Sequence, residues 1–238
     1  MKQVIVKITT STLIGAGFAV AANAQTALTG LYLEGSVGWT HANGDYARQV
    51  RDSLANSSTY QFASASYDNS CGTGGRIAAG WTVLPRLAVE VGYTDFGRDH
   101  GTLAGAAYKA STALTAYRKG RFHASANTLD AVAMLPVNKH LALNARLGVA
   151  LTEQKYTQTN YTTADTVGQS ADYPANRQTR LHWGVGASHN VTNHLSVVVN
   201  YTRIENVGHD FSSASIDKGT RAGKFGYGLL AAGLRYAF

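Results

Sequence analysis

Histidine, aspartate and serine side chains lie close together in one segment, where His209 and Asp210 precede Ser212 and Ser213. Nucleophilic catalysis needs a base that is hydrogen-bonded to its nucleophile and oriented by a third group. Residues adjacent in sequence rarely reach that geometry, and Ser and Asp are also common in loops. The chain has no G-x-S-x-G motif, which would expose a serine on a sharp strand-to-helix turn. The segment therefore favours a polar loop, and a hydrolase that uses His209 and Ser212 remains an alternative.

Other residue types that bind metals or phosphates are present, but their spacing is unfavourable. His140, His189 and His194 belong to different predicted hairpins and have no evident acidic or cysteine partner, whereas a zinc site needs four ligands at about 2 Å. The glycine-rich stretch that begins at Cys71 lacks the Lys-Ser/Thr of a phosphate-binding loop. A single cysteine also excludes an intrachain disulfide. We therefore predict no cofactor and no metal.

The N-terminus has the features of a secretory signal peptide. Lys2 and Lys7 form a basic region, 8–22 is apolar, and Ala22-Asn23-Ala24 is a small-x-small cleavage pattern. We predict that 1–24 is a cleaved signal peptide and that 25–238 is the mature domain; a buried N-terminal helix is the alternative. The mature part has no run of 18 apolar residues, so it is secreted, periplasmic or a β-barrel in an outer membrane. Export also disfavours a nucleic-acid partner.

The period of the hydrophobic pattern decides between these locations. In the stretch 31–40, Leu31, Leu33, Val37 and Trp39 share one face, while the other face is polar or small. A strand with hydrocarbon on one side and a polar barrel interior on the other has this alternation and this length of about ten residues. The alternation recurs in seven further segments, which are 76–82, 87–96, 128–135, 141–152, 180–189, 195–201 and the segment that ends at Phe238.

Short and long connections alternate between the eight segments. The short ones are 83–86, 136–140 and 191–194, and the long ones are about 41–75, 97–121, 153–178 and 205–224. Outer-membrane barrels have short periplasmic turns and longer extracellular loops. The sequence therefore predicts an all-β fold, an eight-stranded antiparallel up-and-down transmembrane β-barrel with four long extracellular loops and both termini in the periplasm.

Charged residues fall on the face of these strands that is predicted to point into the barrel. They are Glu34, Arg76, Glu90, Asp130, Arg146, Arg180 and Arg235, a set of nearly balanced charge. Unpaired charges in a confined interior are costly, so we expect Glu34 and Glu90 to pair with arginines such as Arg76 and Arg146. Such a network would plug the barrel and fix its register. The alternative is a gate whose ion pairs exchange and pass ions.

Aromatic and basic residues indicate where the membrane surfaces lie. Trp39, Trp81, Tyr93 and Tyr236 are expected to form an aromatic girdle at the two interfaces. A second set, Lys109, Arg118, Lys119 and Arg121, clusters around the second long connection, near the expected lipopolysaccharide headgroups. Basic residues at that level could bind phosphates, and a solvated loop is the alternative.

Several stretches resemble the outer-membrane β-barrel family typified by the OmpA transmembrane domain. They are YLEGSVGW (32–39), LAVEVGYTDFG (87–97), LALNARLGVA (141–150), VNYTRIENVG (199–208) and GLRYAF (233–238). The alternating Leu234, Tyr236 and Phe238 resemble the C-terminal assembly signal of such barrels, which implies recognition by the barrel-assembly machinery. The resemblance also implies an interior acid–base pair, which here would join Glu34 or Glu90 to Arg146.

The family resemblance implies a place in a Gram-negative outer membrane, among outer-membrane lipids and lipopolysaccharide. It favours a non-enzymatic protein with a structural or surface-interaction role, with host or surface ligands at the loops and a narrow pore as an added activity. We expect a departure from full-length members, in that the resemblance covers the barrel and not a peptidoglycan-binding domain. A small-solute channel of the OmpW type is the first alternative, and a lipid A-modifying hydrolase that uses His209 and Ser212 is the second.

Overall fold

A computed structural model of the chain describes residues 30–44, 64–68, 72–109, 112–162, 169–208 and 225–238. The predicted signal peptide lies outside the described residues, as do Cys71, His209 and Ser212. Among the described residues no helix is long and apolar enough to cross a membrane.

The described residues form nine antiparallel strands and no helix. The strands are β1 Leu31–Asn43, β2 Ser64–Asp68, β3 Gly72–Leu84, β4 Leu87–Lys109, β5 Thr112–Pro136, β6 Leu141–Thr162, β7 Gln169–Asn190, β8 Leu195–Val207 and β9 Phe225–Ala237. Pro85 and Arg86 form the turn between β3 and β4, and the turns 137–140 and 191–194 join β5 to β6 and β7 to β8.

The sheet closes on itself. Neighbouring strands pair in the order β2-β4-β3-β1-β9-β8-β7-β6-β5, and the pairing of β4 with β5 completes the ring. The short β2 pairs with β4 at 100–104, beyond the part of β4 that pairs with β3. β2 therefore occupies the same position around the ring as β3, and the barrel has eight strand positions. The predicted eight-stranded antiparallel barrel is therefore confirmed.

Where their side chains are described, the barrel strands alternate between the interior and the outer surface. On β1, Glu34 and Ser36 are buried inside, whereas Val37 and Trp39 are exposed outside. Large exposed apolar residues continue this outer belt around the barrel, for example Leu147 on β6 and Leu181 on β7. An outward apolar belt around an interior that contains polar residues is the arrangement of a transmembrane β-barrel.

Strands extend further than the sequence predicts. The stretches 97–121 and 153–178, which were expected to be loops, consist mostly of the paired ends of β4 with β5 and of β6 with β7. The outward apolar pattern ends near Tyr93 and Leu151, but backbone pairing does not depend on that pattern and continues outside the belt. Gly97 has a φ of +74°, and it lies in a bulge where the pairing of β4 with β5 shifts register.

Two ends of the barrel are used below as reference points. The turn end carries the three short turns, together with Leu31 and Phe238. Phe238 N donates to the carbonyl oxygen of Leu31 at 3.0 Å, which joins the two termini of the barrel at this end. The far end is the opposite one, where β4, β5, β6 and β7 continue beyond the other strands.

Candidate functional site

Six charged side chains meet inside the barrel and form what is called here the interior network. Its members are Glu34, Arg76, Glu90, Asp130, Arg146 and Arg235, all of them buried. Three are carboxylates and three are guanidiniums, so the network has no net charge. The structure thus brings together six of the seven inward charges that the sequence predicts. The seventh, Arg180, is half-buried and donates to Oε1 of Gln178 instead.

One half of the interior network is centred on Arg76. Its Nη2 contacts Oε1 of Glu90 and lies 3.2 Å from Oδ2 of Asp130. Its Nη1 donates to the hydroxyl groups of Thr94 and Thr128 at 3.3 and 3.2 Å. A Cβ on Gly92 would lie 2.9 Å from Cζ of Arg76, so the glycine leaves the space that this guanidinium occupies.

The other half is centred on Glu34. Arg235 donates to Glu34 Oε2 from Nε at 3.1 Å and from Nη2 at 2.6 Å, and Asn200 donates to Oε1 at 2.8 Å. The Arg235 guanidinium also lies over the ring of Tyr32, 4.5 Å from its centroid. The Tyr32 hydroxyl donates to Glu90 at 2.9 Å, which connects the two halves of the network.

Arg146 lies between the two halves. Its Nη2 is 3.7 Å from Oε1 of Glu34, and its Nη1 is 3.5 Å from Oε1 of Glu90. None of its three guanidinium nitrogens has a hydrogen-bond partner among the described residues. Arg146 therefore balances two carboxylates by charge without being fixed to either of them, and it is the most loosely held member of the network.

His182 is a member of the site that sequence analysis missed. Its Nδ1 lies 2.7 Å from Oδ1 of Asp130, and both side chains are fully buried. His182 has the same inward parity as Arg180 and Gly184 on β7, so the strand pattern contained the signal. Tyr32 and Asn200 were missed in the same way, because only charged residues were considered as interior partners.

An apolar cluster fills the barrel between the interior network and the far end; it is called here the aromatic plug. Its large members are Phe96, Phe122, Tyr156, Ile204, Val207, Phe225, Tyr227 and Leu229. The ring centroid of Phe122 is 4.8 Å from that of Tyr156 and 5.0 Å from that of Phe225. Gln154 donates to the Tyr227 hydroxyl at 3.0 Å, which satisfies the polar end of that ring. A smaller apolar group, Tyr32, Ala88, Val132 and Met134, covers the network toward the turn end.

The residues expected in the aromatic girdle all lie on the outer surface and are exposed. Trp39 and Tyr93 lie toward the far end, and Trp81 and Tyr236 lie toward the turn end. Leu234 is also exposed on the outer face of β9, and the ring of Phe238 packs edge-on against Tyr236 at 5.2 Å between centroids.

Charged residues follow the apolar belt on the outer face of the extended strands. Asp95 accepts hydrogen bonds from the backbone N–H of Gly97 at 2.7 Å and contacts His123 Nε2 at 3.0 Å. The hydrogen bond with His123 is the main reason why the pKa of the Asp95 carboxyl is lowered. Burial opposes this effect, and the Gly97 N–H supports it. On β6, Glu153 contacts Lys155 Nζ at 3.2 Å.

The remaining residues that the sequence singled out lie at opposite ends of the barrel. His140, His189 and His194 are exposed near the turn end, and among the described residues no group of three His, Cys, Asp or Glu could hold a metal. Lys109, Arg118 and Lys119 lie on the far parts of β4 and β5, where only the backbone is described. Arg121 is exposed on β5.

Comparisons with known proteins agree with this architecture. Residues 26–238 match the family model described as the OmpA-like transmembrane domain. A comparison with curated protein sequences gives no match. Neisserial surface protein A is similar in structure, with a TM-score of 0.48 and 17% identity over 88% of this chain and 98% of that chain. The outer membrane protease OmpT of Escherichia coli has a TM-score of 0.45 and 13% identity over 89% and 98% of the two chains. Ail of Yersinia pestis, solved in complex with the heparin analogue sucrose octasulfate, has a TM-score of 0.40 and 14% identity over 86% and 98%.

Proposed function

The chain belongs to the OmpA-like transmembrane domain family, and from that premise we propose that it is a closed, non-enzymatic outer-membrane barrel that acts through its far end. Outer-membrane barrels have their short turns in the periplasm, so the far end faces the outside of the cell. There the paired extensions of β4, β5, β6 and β7 present a sheet to surface ligands.

The filled interior is the observation that carries the proposal of a closed barrel. An eight-stranded barrel encloses only enough space for side chains. Here the interior network occupies the middle, and the aromatic plug occupies the part toward the far end. A water path would have to pass both layers. Because the network is neutral and internally paired, opening it would also leave buried charges without partners, at about 3–5 kcal/mol for each broken pair.

The proposal is tested by the conductance of the refolded mature protein in a planar bilayer. We expect no discrete current steps from protein that is shown to be folded by its heat-dependent gel mobility. Discrete steps from the unmodified protein would show a continuous water path and would overturn the proposal in favour of a narrow porin or an OmpW-type channel. A variant with Phe122→Ala and Phe225→Ala serves as the comparison, because it removes two rings of the plug.

Gated conduction is a second candidate function, and the position of Arg146 favours it. The guanidinium lies at similar distances from Glu34 and Glu90 and donates a hydrogen bond to neither. A small displacement of the guanidinium toward Glu34 or toward Glu90 would strengthen one contact and weaken the other, which would give the network a second arrangement. Voltage-dependent steps that are abolished by Arg146→Lys would support a gate.

Two contacts with the envelope belong to the same proposal. The exposed apolar belt and the aromatic girdle would hold the barrel among outer-membrane lipids. Leu234, Tyr236 and Phe238 would be read by the barrel-assembly machinery before β9 pairs with β1. Deleting Phe238 should slow insertion into the outer membrane of living cells, while a chain refolded in detergent should still close.

A lipid A-modifying hydrolase is the alternative from another class of protein, and its residues His209 and Ser212 lie outside the described residues. Asp95 and His123 form an acid–imidazole pair, but it lies on the outer face of the sheet, and no described serine is hydrogen-bonded to His123. Mass spectra of lipid A from cells with and without the protein should be identical. A change in lipid A that disappears in Ser212→Ala would overturn the non-enzymatic assignment.

A further inference from the structure

Four basic side chains lie on one outer face of the barrel, above the apolar belt, and they are called here the outward cation patch. They are Arg98 on β4, Arg121 on β5, Lys155 on β6 and Arg177 on β7, all exposed. Among the side chains that the structure describes in the same rows of the sheet, the outward acidic ones are Asp95 and Glu153. Asp172 on β7, of which only the backbone is described, belongs to the row of Arg121 because both residues pair with Thr157. With four basic and three acidic residues in these rows, the face has a surplus of positive charge.

The pairing of the strands makes this patch continuous. Arg98 is paired with His123 on β5, and His123 is paired with Lys155 on β6. In the next row, Glu153 is paired with Arg177 on β7. Directly opposed residues on neighbouring strands have Cβ atoms about 5 Å apart, so the basic groups form one surface across four strands.

Glu153 positions two of the cations. One of its carboxylate oxygens lies 3.2 Å from Nζ of Lys155, and the other accepts a hydrogen bond from Nε of Arg177 at 2.9 Å. The contact with Arg177 uses Nε alone, and the Arg177 side chain is 80% exposed. The guanidinium therefore keeps two terminal amino groups for the bidentate geometry in which arginine binds phosphate oxygens.

The height of the patch indicates what covers it. Lys155 follows Leu151 by four positions on β6, and Arg177 precedes Leu181 by four positions on β7, which runs in the opposite direction; both leucines are exposed in the apolar belt. At about 3.3 Å per residue and a strand tilt of about 40°, the two cations lie roughly 10 Å above these leucines. This is the level of lipid headgroups, beside the hydrocarbon that surrounds the belt.

We propose that the outward cation patch binds the phosphate groups of the phosphorylated glycolipid that forms the outer leaflet, with Lys155 and Arg177 as the principal contacts. This rests on the proposed function, in which the far end of the barrel faces the outside of the cell. The patch is continuous with the membrane-facing belt, whereas a soluble polyanion would have to reach between the headgroups to contact it. The occupant is therefore a lipid neighbour of the barrel.

The test uses native mass spectrometry of the refolded mature protein, taken from vesicles of phosphatidylcholine that contain bisphosphorylated lipid A. Lys155→Gln combined with Arg177→Gln should lower the fraction of barrels that retain lipid A by about tenfold, because each basic residue near a charged lipid surface contributes appreciably. The matched control is Arg86→Gln combined with Lys139→Gln, which removes one arginine and one lysine that are exposed at the turn end. The control should retain lipid A as the unmodified protein does.

Three further comparisons make the test decisive. Arg98→Gln combined with Arg121→Gln should also weaken retention, and unchanged heat-dependent gel mobility would show that each variant is folded. Lipid A without phosphates should be retained poorly by the unmodified protein. A tenfold excess of inorganic phosphate should fail to displace lipid A, and displacement would overturn the assignment to a lipid. Equal retention by the Lys155/Arg177 variant and its control would also overturn the proposal, whether or not the barrel conducts.

Discussion

Nδ1 of His182 lies 2.7 Å from Oδ1 of Asp130 in the middle of the barrel, and solvent reaches neither side chain. The other oxygen of the same carboxylate lies 3.2 Å from the Arg76 guanidinium. Asp130 on β5 is therefore contacted from two sides, by Arg76 on β3 and by His182 on β7. This arrangement makes the imidazole a structural partner of the interior network.

Replacing His182 should destabilise the barrel. His182→Ala leaves one oxygen of the buried Asp130 carboxylate without its hydrogen bond, so we expect the free energy of unfolding to fall by about 1–3 kcal/mol. Urea-induced unfolding in phospholipid vesicles measures this loss. The matched control is His189→Ala on the same strand, which removes an exposed imidazole and should change stability by less than about 0.5 kcal/mol. Equal effects of the two substitutions would contradict a structural role for His182.

Arg146 should be needed for the balance of charge between Glu34 and Glu90. Arg146→Ala leaves a net negative charge in the buried network, and we expect a loss of about 3–5 kcal/mol in the free energy of unfolding. Arg146→Lys keeps the charge and should lose less. Arg86→Ala, which removes an exposed arginine at the turn end, is the control. Unchanged stability of Arg146→Ala would argue against a paired interior.

Gly92 should resist even the smallest side chain. The added methyl of Gly92→Ala would meet the guanidinium of Arg76 and push it away from Glu90 and Asp130. We expect a destabilisation of about 1–3 kcal/mol, as is usual for overpacking. Gly35→Ala provides the control, since no heavy atom lies within 4 Å of a Cβ at that position. Comparing the two variants by urea unfolding separates crowding from the general effect of replacing a strand glycine.

Asp95 should remain ionised to lower pH than an ordinary aspartate. Its carboxyl has a lowered pKa in the folded protein because of the hydrogen bond with His123, so the contact contributes stability above the ordinary pKa of 3.8. That contribution is lost as the pH falls through the lowered folded-state value. In an NMR titration of the carboxyl carbon, the Asp95 midpoint should lie below 3.8 and should rise in His123→Gln. A midpoint unaffected by His123→Gln would remove the hydrogen bond as its cause.

The sequence predicted the barrel because alternation acts at every position of a membrane strand. Glu34 and Arg76 were assigned to the interior by parity alone, and parity is a local property that needs no knowledge of the partner strand. Which carboxylate meets which guanidinium depends on register between distant strands, and a single strand does not contain that information. Arg146 illustrates this, since its place between two carboxylates follows from the positions of β1 and β4.

The far end was harder to predict, for a different reason. In the sequence a membrane strand is marked by its apolar outer face, and that face ends where the hydrocarbon ends. Phe122 and Phe225 directly follow two of the predicted long connections, and both are buried in the plug. The extended pairing of β4 with β5 is stabilised by backbone hydrogen bonds, which leave no hydrophobic period in the sequence.

The pairing of Glu34 with Arg235 has a consequence for the order of events during assembly. The two residues are 201 positions apart, and their contact exists only when β9 has paired with β1. In a chain that ends before β9, the sheet keeps two open edges, and the Glu34 carboxylate lacks its strongest partner. Such contacts between the ends of a chain form slowly, because a large loop must close before they contribute. The Glu34–Arg235 ion pair thus stabilises the barrel only after β9 has paired with β1, so a chain that lacks β9 is less stable in the membrane than the full-length chain.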